Sequence, residues 1–497
     1  MKKILVWILT LESRLILNKY KPFIVAVTGS VGKTSTKDAI YDVLKGEGVC
    51  TDQKICFVRK SDKSMNSDIG LPLTVIGVPN AWHSLSGWLN NISAGARLIF
   101  KRSEYPDCLV LEVGADHPND IKKVAHWLRP DIAVITKISR TPVHVEFFKS
   151  PEEVFEEKAA LAEAVKSGGT FILFADDEKV AGLAERVKSR DVSVISFGLN
   201  ETAGGSAALP AVRAEDIKVL YDEPPVKEWK VESAGGISTN EFNFSPKAVS
   251  VPIGMSFKLM IDCNAQIKSD SDDSTKDQLK PVAVQSQSVA TESQSMSVNG
   301  ILGKTYLYPL LAAAAVGKAR GIGSQSIVRS LSNYDAPKGR MRVIHGLNGS
   351  TLIDDSYNSS PDAAMAALET LKGLECAGTK IAVLGDMMEL GKYSAEEHRR
   401  IGREAAGIVG RLITVGQRSR LTATEAIKAG LRSESVSTFD SAVEAASFIA
   451  PLVKTGDIVL VKGSQSVRME RVSAALLREP EKAATLLVRQ EKEWLAK

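Results

Sequence analysis

The run VAVTGSVGKTSTKDAI at residues 25–40 joins an apolar strand to a helix through Gly29, Gly32, Lys33 and Thr34. Glycines there let backbone N–H groups close on phosphate oxygens at a helix N-terminus, where the dipole favours negative charge. Lys33 adds a cation beside those oxygens, and the Thr34 hydroxyl suits Mg²⁺. The common phosphate loop has a glycine five residues before Gly32; here that residue is Val27, so this is a shorter TGxxGKT form. Thr28, Gly29, Ser30, Gly32, Lys33, Thr34 and Ser35 are therefore the candidate nucleotide contacts. A second Gly-Lys-Thr at 303–305 follows no strand and reads as a chance match.

Other candidates sit at strand ends. Glu112, closing CLVLE before Gly114, offers Mg²⁺ a hard oxygen, or is a solvated carboxylate ending its strand. Lys158 shares a helical stripe with Val154, Leu161, Ala162 and Val165. A lysine there either snorkels to water or, desolvated, becomes a neutral amine able to form a carbamate with carbon dioxide. His144 follows the run Ile132–Ile135 and its turn. Farther on, Asp354-Asp355 ends a strand, with Ser360 and Pro361 opening the next helix as cap and first residue. Gly385-Asp386 and Lys462-Gly463-Ser464 end two more strands, and Arg340 in KGRMR can grip a phosphate with two N–H groups. Singly, each of these reads equally well as structural.

These residues need strands that deliver them to one edge. Short β-branched runs alternate with helical patterns in two series: Phe23–Val27, Cys108–Leu111, Ile132–Ile135 and Thr170–Phe174, then Leu352-Ile353, Ile381–Leu384, Leu412–Val415 and Ile458–Val461. Such alternation specifies parallel sheets with ligands at the strands' carboxyl ends. The expected fold is α/β: a P-loop-type central domain over 23–336, mainly parallel with antiparallel additions at Val249–Ile253 and Phe257–Ile261, then a Rossmann-like domain over 337–497. The segment 264–297, rich in Ser, Asp and Gln, reads as a flexible insertion. Leu310–Ala319 reads as a buried helix, and 335–339 as the hinge between the domains.

The chain has 497 residues, 44% hydrophobic and 25% charged, with a net charge of +4 that calls for no nucleic-acid partner. Five scattered cysteines (Cys50, Cys56, Cys108, Cys263, Cys376) form no zinc spacing or disulfide framework, which places the chain in a reducing cytoplasm. Lys2-Lys3 before Ile4–Leu9 has the look of a signal peptide, but Glu12 and Arg14 interrupt the apolar run. Residues 1–22 are expected to form an amphipathic helix on the first domain, without stable membrane insertion.

Taken together, TGSVGKTST, LEVGADHPNDI, HVEFFKSPEEVFEEKAAL, KGRMR, DDSYNSSPDAAMAAL, GDMMELGKYSAEEH and VLVKGSQSVRME resemble the Mur ligase family, most closely its D-alanyl-D-alanine-adding type. The match runs from about residue 23 to 475. The resemblance implies an ATP- and Mg²⁺-dependent amide ligase of cell-wall precursor synthesis, joining D-alanyl-D-alanine to UDP-N-acetylmuramoyl-tripeptide through an acyl phosphate. It implies that Lys33 and Thr34 hold ATP phosphates and Mg²⁺, that Glu112 and His144 are further Mg²⁺ contacts, and that Lys158 is the carbamylated lysine. Arg340 and Asp355 would hold ATP from the second domain; Asn66, Asn358 and Lys462 would face substrate. The family's Lys-x-Glu pattern is Lys158-Ala159-Ala160 here, the second Asn of its Asp-Asp-x-Tyr-Asn-x-Asn motif is Ser360, and its adenine loop reads GKTYLYP at 303–309. The 22 residues before the first strand hold no counterpart of the family's UDP-gripping first domain. A partner supplying UDP recognition, a different carboxylate of cyanophycin or polyglutamate type, and a non-catalytic ATP-binding scaffold are the alternatives.

Overall fold

The computed structural model describes residues 2–46, 57–62, 65–82, 84–199, 209–222, 250–263 and 290–495. Cys50 and Cys56 lie outside them; the other three cysteines are free thiols. The β-branched runs build two sheets. In the first, β1 (Phe23–Thr28), β2 (Val58–Lys60), β3 (Cys108–Glu112), β4 (Ile132–Ile135), β5 (Thr170–Phe174), β6 (Ser193–Gly198), β7 (Val212–Asp222), β8 (Val251–Asp262) and β9 (Thr291–Asn299) lie in the order 2-3-1-4-5-6-7-8-9. Pairing is parallel from β2 through β7, and antiparallel between β7 and β8 and between β8 and β9. In the second, β10 (Arg342–His345), β11 (Thr351–Asp355), β12 (Lys380–Gly385), β13 (Arg411–Val415), β14 (Val436–Phe439) and β15 (Ile458–Lys462) lie in the order 10-11-15-12-13-14. Only β10 runs antiparallel to its neighbour.

The second sheet shows how strand period two divides a core. Ile353, Ala382, Leu412 and Leu460 are continuous with the buried residues of the first sheet. Their chain neighbours Leu352, Ile381, Val383, Ile413, Val459 and Val461 pack a separate core on the opposite face. One face of this sheet is thus held against the rest of the molecule.

One boundary needs correction. The segment 264–297 is not wholly an insertion, because Thr291–Asn299 is strand β9, paired with β8 along its length. Only Met296 and Val298 of the strand are buried, and the outward Ser, Gln and Thr hide its period-two signal. Residues 264–289 fall outside the described residues. The helix Tyr308–Ala319 is buried over most of its length, as its apolar run predicts.

Among the described residues, six α-helices precede β5 in the chain: α1 (Lys2–Tyr20), α2 (Lys33–Lys45), α3 (Gly70–Ile76), α4 (Leu85–Phe100), α5 (Asp120–Leu128) and α6 (Pro151–Glu163). α1 packs on α3 and α4 through Leu9, Ile16 and Leu17, each contributing about 2 kcal/mol by burial. The Lys19 ammonium donates to the carbonyls of Leu98, Ile99 and Lys101 at 2.7–2.9 Å, neutralising the C-terminal end of α4.

Glu12 lies on the buried face of α1 against Gly95, and its Oε2 has no hydrogen-bond partner among the described residues. Burial pushes its carboxyl up from 4.5 to about 7. The folded chain therefore binds this proton more tightly than the unfolded one; the contribution to stability is full below about 4.5 and is lost as pH rises through about 7. Glu12→Gln should gain on the order of 1–2 kcal/mol at about pH 8, allowing for screening, and little at about pH 4. Urea unfolding at the two pH values checks this; an equal change at both would refute it.

Candidate active-site cleft

β1 lies between β3 and β4, where the strand order reverses, so a crevice opens at the strands' carboxyl ends. The loop after β1 is clamped to the end of β4: the N–H groups of Ser30 and Val31 donate to the Lys137 carbonyl, and Thr136 Oγ1 donates to Val31 O at 2.8 Å. Gly29 is required there. Its φ is +147°, and a Cβ would stand 1.9 Å from Thr136 Oγ1. Gly32, at φ +84°, turns the chain into α2, whose first turn has no capping side chain. Its leading N–H groups and the buried, unpartnered Ser30 Oγ are thus available to a ligand anion. Lys33 lines the same cleft and donates to Gly29 O at 3.0 Å; burial lowers its pKa, opposed by the Glu112 charge.

Glu112 is anchored on both oxygens. Oε2 accepts from Thr34 Oγ1 at 2.9 Å, and Oε1 accepts from Asn66 Nδ2 at 3.2 Å. The Asn66 carbonyl accepts the Gly114 N–H at 2.9 Å, which fixes that loop to the strand end. His144, with φ +71°, places Nε2 3.5 Å from Asp116 Oδ1 and Nδ1 2.7 Å from Glu389 Oε2. Glu389 belongs to the second sheet's loops, and the imidazole of His144 beside it holds its carboxyl below the usual value.

Lys158, on α6, is 4% exposed yet lines the cleft. Burial, reinforced by the nearby Lys33 charge, pulls its pKa down to about 7. Among the described residues its amine makes no hydrogen bond. The adjacent Glu157 accepts the N–H groups of Asn119, Ile121 and Lys122 at 2.6–3.0 Å, so it caps α5 and steadies the loop that carries Asp116.

The opposite wall comes from the second sheet: Arg340, Tyr357, Asn358, Ser359 and Ser360. The Arg340 guanidinium lies 4.2 Å over the Tyr357 ring, and Ser360 caps the helix Pro361–Gly373 as its sequence predicts. Asp355 and Lys462 do not line the cleft, contrary to expectation. They form a 2.6 Å ion pair behind its wall, with side chains 1% and 2% exposed. Asp355 also accepts from Tyr306 Oη and the Met341 N–H, and Lys462 donates to Asn358 O. Thr28 and Ser35 are likewise buried beneath the loop, and Gly303-Lys304-Thr305 lies elsewhere. Sequence reasoning missed Asp116 and Tyr357, which line the cleft, and Glu389, which meets His144, although each lies within a motif that was singled out.

Among the described residues no three His, Cys, Asp or Glu side chains make a ready metal cage. Glu112 and Asp116 beside a threonine hydroxyl suit Mg²⁺ instead, which keeps several waters and takes one or two carboxylates plus substrate phosphates.

Two domain profiles match the chain in order: the Mur ligase middle domain over 27–86 and 88–236, and the Mur ligase glutamate ligase domain over 339–465. The UDP-N-acetylmuramoyl-tripeptide–D-alanyl-D-alanine ligase of Mycobacterium leprae is 27% identical over 473 residues, covering 91% of this chain and 73% of that protein. The protein of the same name from Bacillus subtilis is 24% identical over 458 residues, covering 92% and 76%. The fold matches MurF from Thermotoga maritima in complex with ADP (TM-score 0.66, 22% identity, 96% and 84% covered) and MurF from Acinetobacter baumannii (0.65, 22%, 94% and 79%). Matched by both domain models over most of its length, the chain belongs to the Mur ligase family of ATP-dependent, ADP-forming ligases.

Proposed function

We propose that the chain joins D-alanyl-D-alanine to the free carboxylate of a UDP-N-acetylmuramoyl-tripeptide in the cytoplasm, using ATP and Mg²⁺. The observation that carries this reading is a single cleft with an uncapped helix N-terminus and Lys33 on one wall and Arg340 on the other. The names of the similar ligases point to the substrates. The α2 amides and Lys33 bind the phosphates, and Arg340, steadied on Tyr357, adds charge from the second sheet. Thr34 and Glu112, with His144 and a carbamylated Lys158 beside them, would hold Mg²⁺, which neutralises phosphate oxygens when bound. The substrate carboxylate takes the terminal phosphoryl group and ADP departs. The amine then attacks the acyl carbon, phosphate leaves, and an amide forms; the walls align reactants and exclude water. Asn66 and Asn358 present amides to the substrates.

Lys33→Ala should lower kcat/KM for ADP release at least about 100-fold with the fold retained by circular dichroism, because it removes a cation from the transferring phosphate. The assay uses Mg²⁺-ATP, D-alanyl-D-alanine and the UDP-linked tripeptide, omitting each in turn. Release that persists without the tripeptide, or without D-alanyl-D-alanine, would reject this substrate pair.

Lys158 carries the second test. Its neutral amine adds to carbon dioxide, forming an N–C bond and losing a proton to water, so a cation becomes an anion. With ¹³C-bicarbonate, a carbamate carbon signal should appear at about pH 8, where the amine is neutral, and fade below its pKa of about 7. Lys158→Ala should lack the signal, lose most activity and regain part of it with added short carboxylates. A wild-type spectrum without the signal would overturn the carbamate assignment.

A further inference from the structure

We propose that α1 and α4 form a docking surface that seats the chain on an anionic lipid bilayer, lying in its interface. Ile4, Trp7, Leu11 and Leu15 make one stripe along α1, opposite the buried Leu9 and Ile16; Ile4 and Trp7 are each 65% exposed. On α4 a second stripe comprises Leu85, Leu89 and Phe100, exposed by 73%, 68% and 85%. Trp82 stands exposed just before it.

The two stripes face the same way. Lys19 caps the C-terminal end of α4, and Glu12, farther back on α1, packs on Gly95, farther back on α4. The helices therefore run parallel, with Glu12 and Gly95 on the line of contact. A turn of 100° per residue from that line puts both stripes on one side. The wholly buried α3 lies beneath, touched by Ser13 Oγ at Pro72 O. No described helix is long and apolar enough to cross a membrane, so the surface would lie on one.

The charge identifies the occupant. Lys2, Lys3, Arg14, Lys19 and Lys21 at α1, and Arg97, Lys101 and Arg102 at α4, are all exposed. The sole carboxylate over 2–21 and 84–103 is Glu12, which is buried. On the flank of α1 away from α4, Arg14 and Asn18 border a groove whose other side carries Lys122, His126, Arg129 and Arg190. Its one carboxylate, Glu163, is paired with Arg186. An apolar ridge with a basic rim, and with Trp7 and Trp82 toward the N-terminal ends of its two helices, matches acyl chains beneath negative headgroups. A second copy would set like charges together. Protein interfaces carry both signs and are depleted in lysine, whereas five of these eight cations are lysines.

The test is sedimentation of the full chain with vesicles of phosphatidylcholine alone or with about 30 mol% phosphatidylglycerol at moderate salt. Binding is expected only to the anionic vesicles and should fall steeply as salt rises. Trp7→Ser with Leu89→Ser, or separately Arg14→Glu with Arg97→Glu, should weaken it at least about tenfold while melting temperature and basal ADP release stay unchanged. The proposal is overturned if the anionic vesicles leave the wild type in the supernatant, or if both double variants bind as well as it does. A wild-type dimer in light scattering that the Trp7→Ser, Leu89→Ser variant abolishes would reassign the surface to a second copy. A stoichiometric protein partner lost in that variant, with no vesicle binding, would reassign it to protein. Neither sedimentation nor light scattering depends on which carboxylate the cleft accepts.

Discussion

The buried ion pair between Asp355 and Lys462 is the constraint on which the cleft's second wall hangs. Both side chains are almost wholly withdrawn from water, so their attraction must be supported by hydrogen bonds to offset desolvation. Those bonds reach the Tyr306 hydroxyl, the Met341 amide and the Asn358 carbonyl. Met341 follows Arg340, and Asn358 follows Tyr357, the ring on which that arginine rests. Removing one charge would strand the other at about 3–5 kcal/mol and release both neighbours of the guanidinium. The pair thus acts on the nucleotide wall from behind.

The wall must also be held against the phosphate loop, and three cross-connections do so. Tyr334 Oη donates to Ser35 O, His144 meets Glu389, and Thr141 Oγ1 donates to Glu397 Oε1 at 2.7 Å. Together with the shared core face of the second sheet, they set the distance between Lys33 and Arg340. Loop residues from two sheets can present one cleft because the strands beneath them are rigid.

The phosphate loop was legible in the sequence because its information is local: two glycines, a lysine and a threonine between a strand and a helix. The parallel sheets were legible from period and spacing. Asp355 and Lys462 were read as ligand contacts from the family resemblance, with their place at strand carboxyl ends, which often face the crevice, in support. Nothing in the sequence shows that β11 and β15 are neighbours, so that their last residues pair with each other. The meeting of Asp116, His144 and Glu389 also depends on tertiary placement. β9 was hidden by composition, since a strand burying only Met296 and Val298 looks like a polar linker.

The cleft's charges bear on the reaction proposed for Lys158. Burial lowers both Lys33 and Lys158, yet their surroundings differ. Lys33 has the Glu112 carboxylate as its strongest charge partner and a hydrogen bond to Gly29 O, both of which favour its ammonium. For Lys158 the strongest charge partner is Lys33 itself, which disfavours a second cation. The charges around Lys33 thus work toward its ammonium, and the Lys33 charge works against a second cation at Lys158. A carboxylate gained by Lys158, as proposed, would add negative charge to a cleft that, among the described residues, is lined by the carboxylates Glu112 and Asp116 and by the cations Lys33 and Arg340. On the proposed reading, the Lys33 cation that meets phosphate also favours the uncharged Lys158 amine from which the opposite charge would be built.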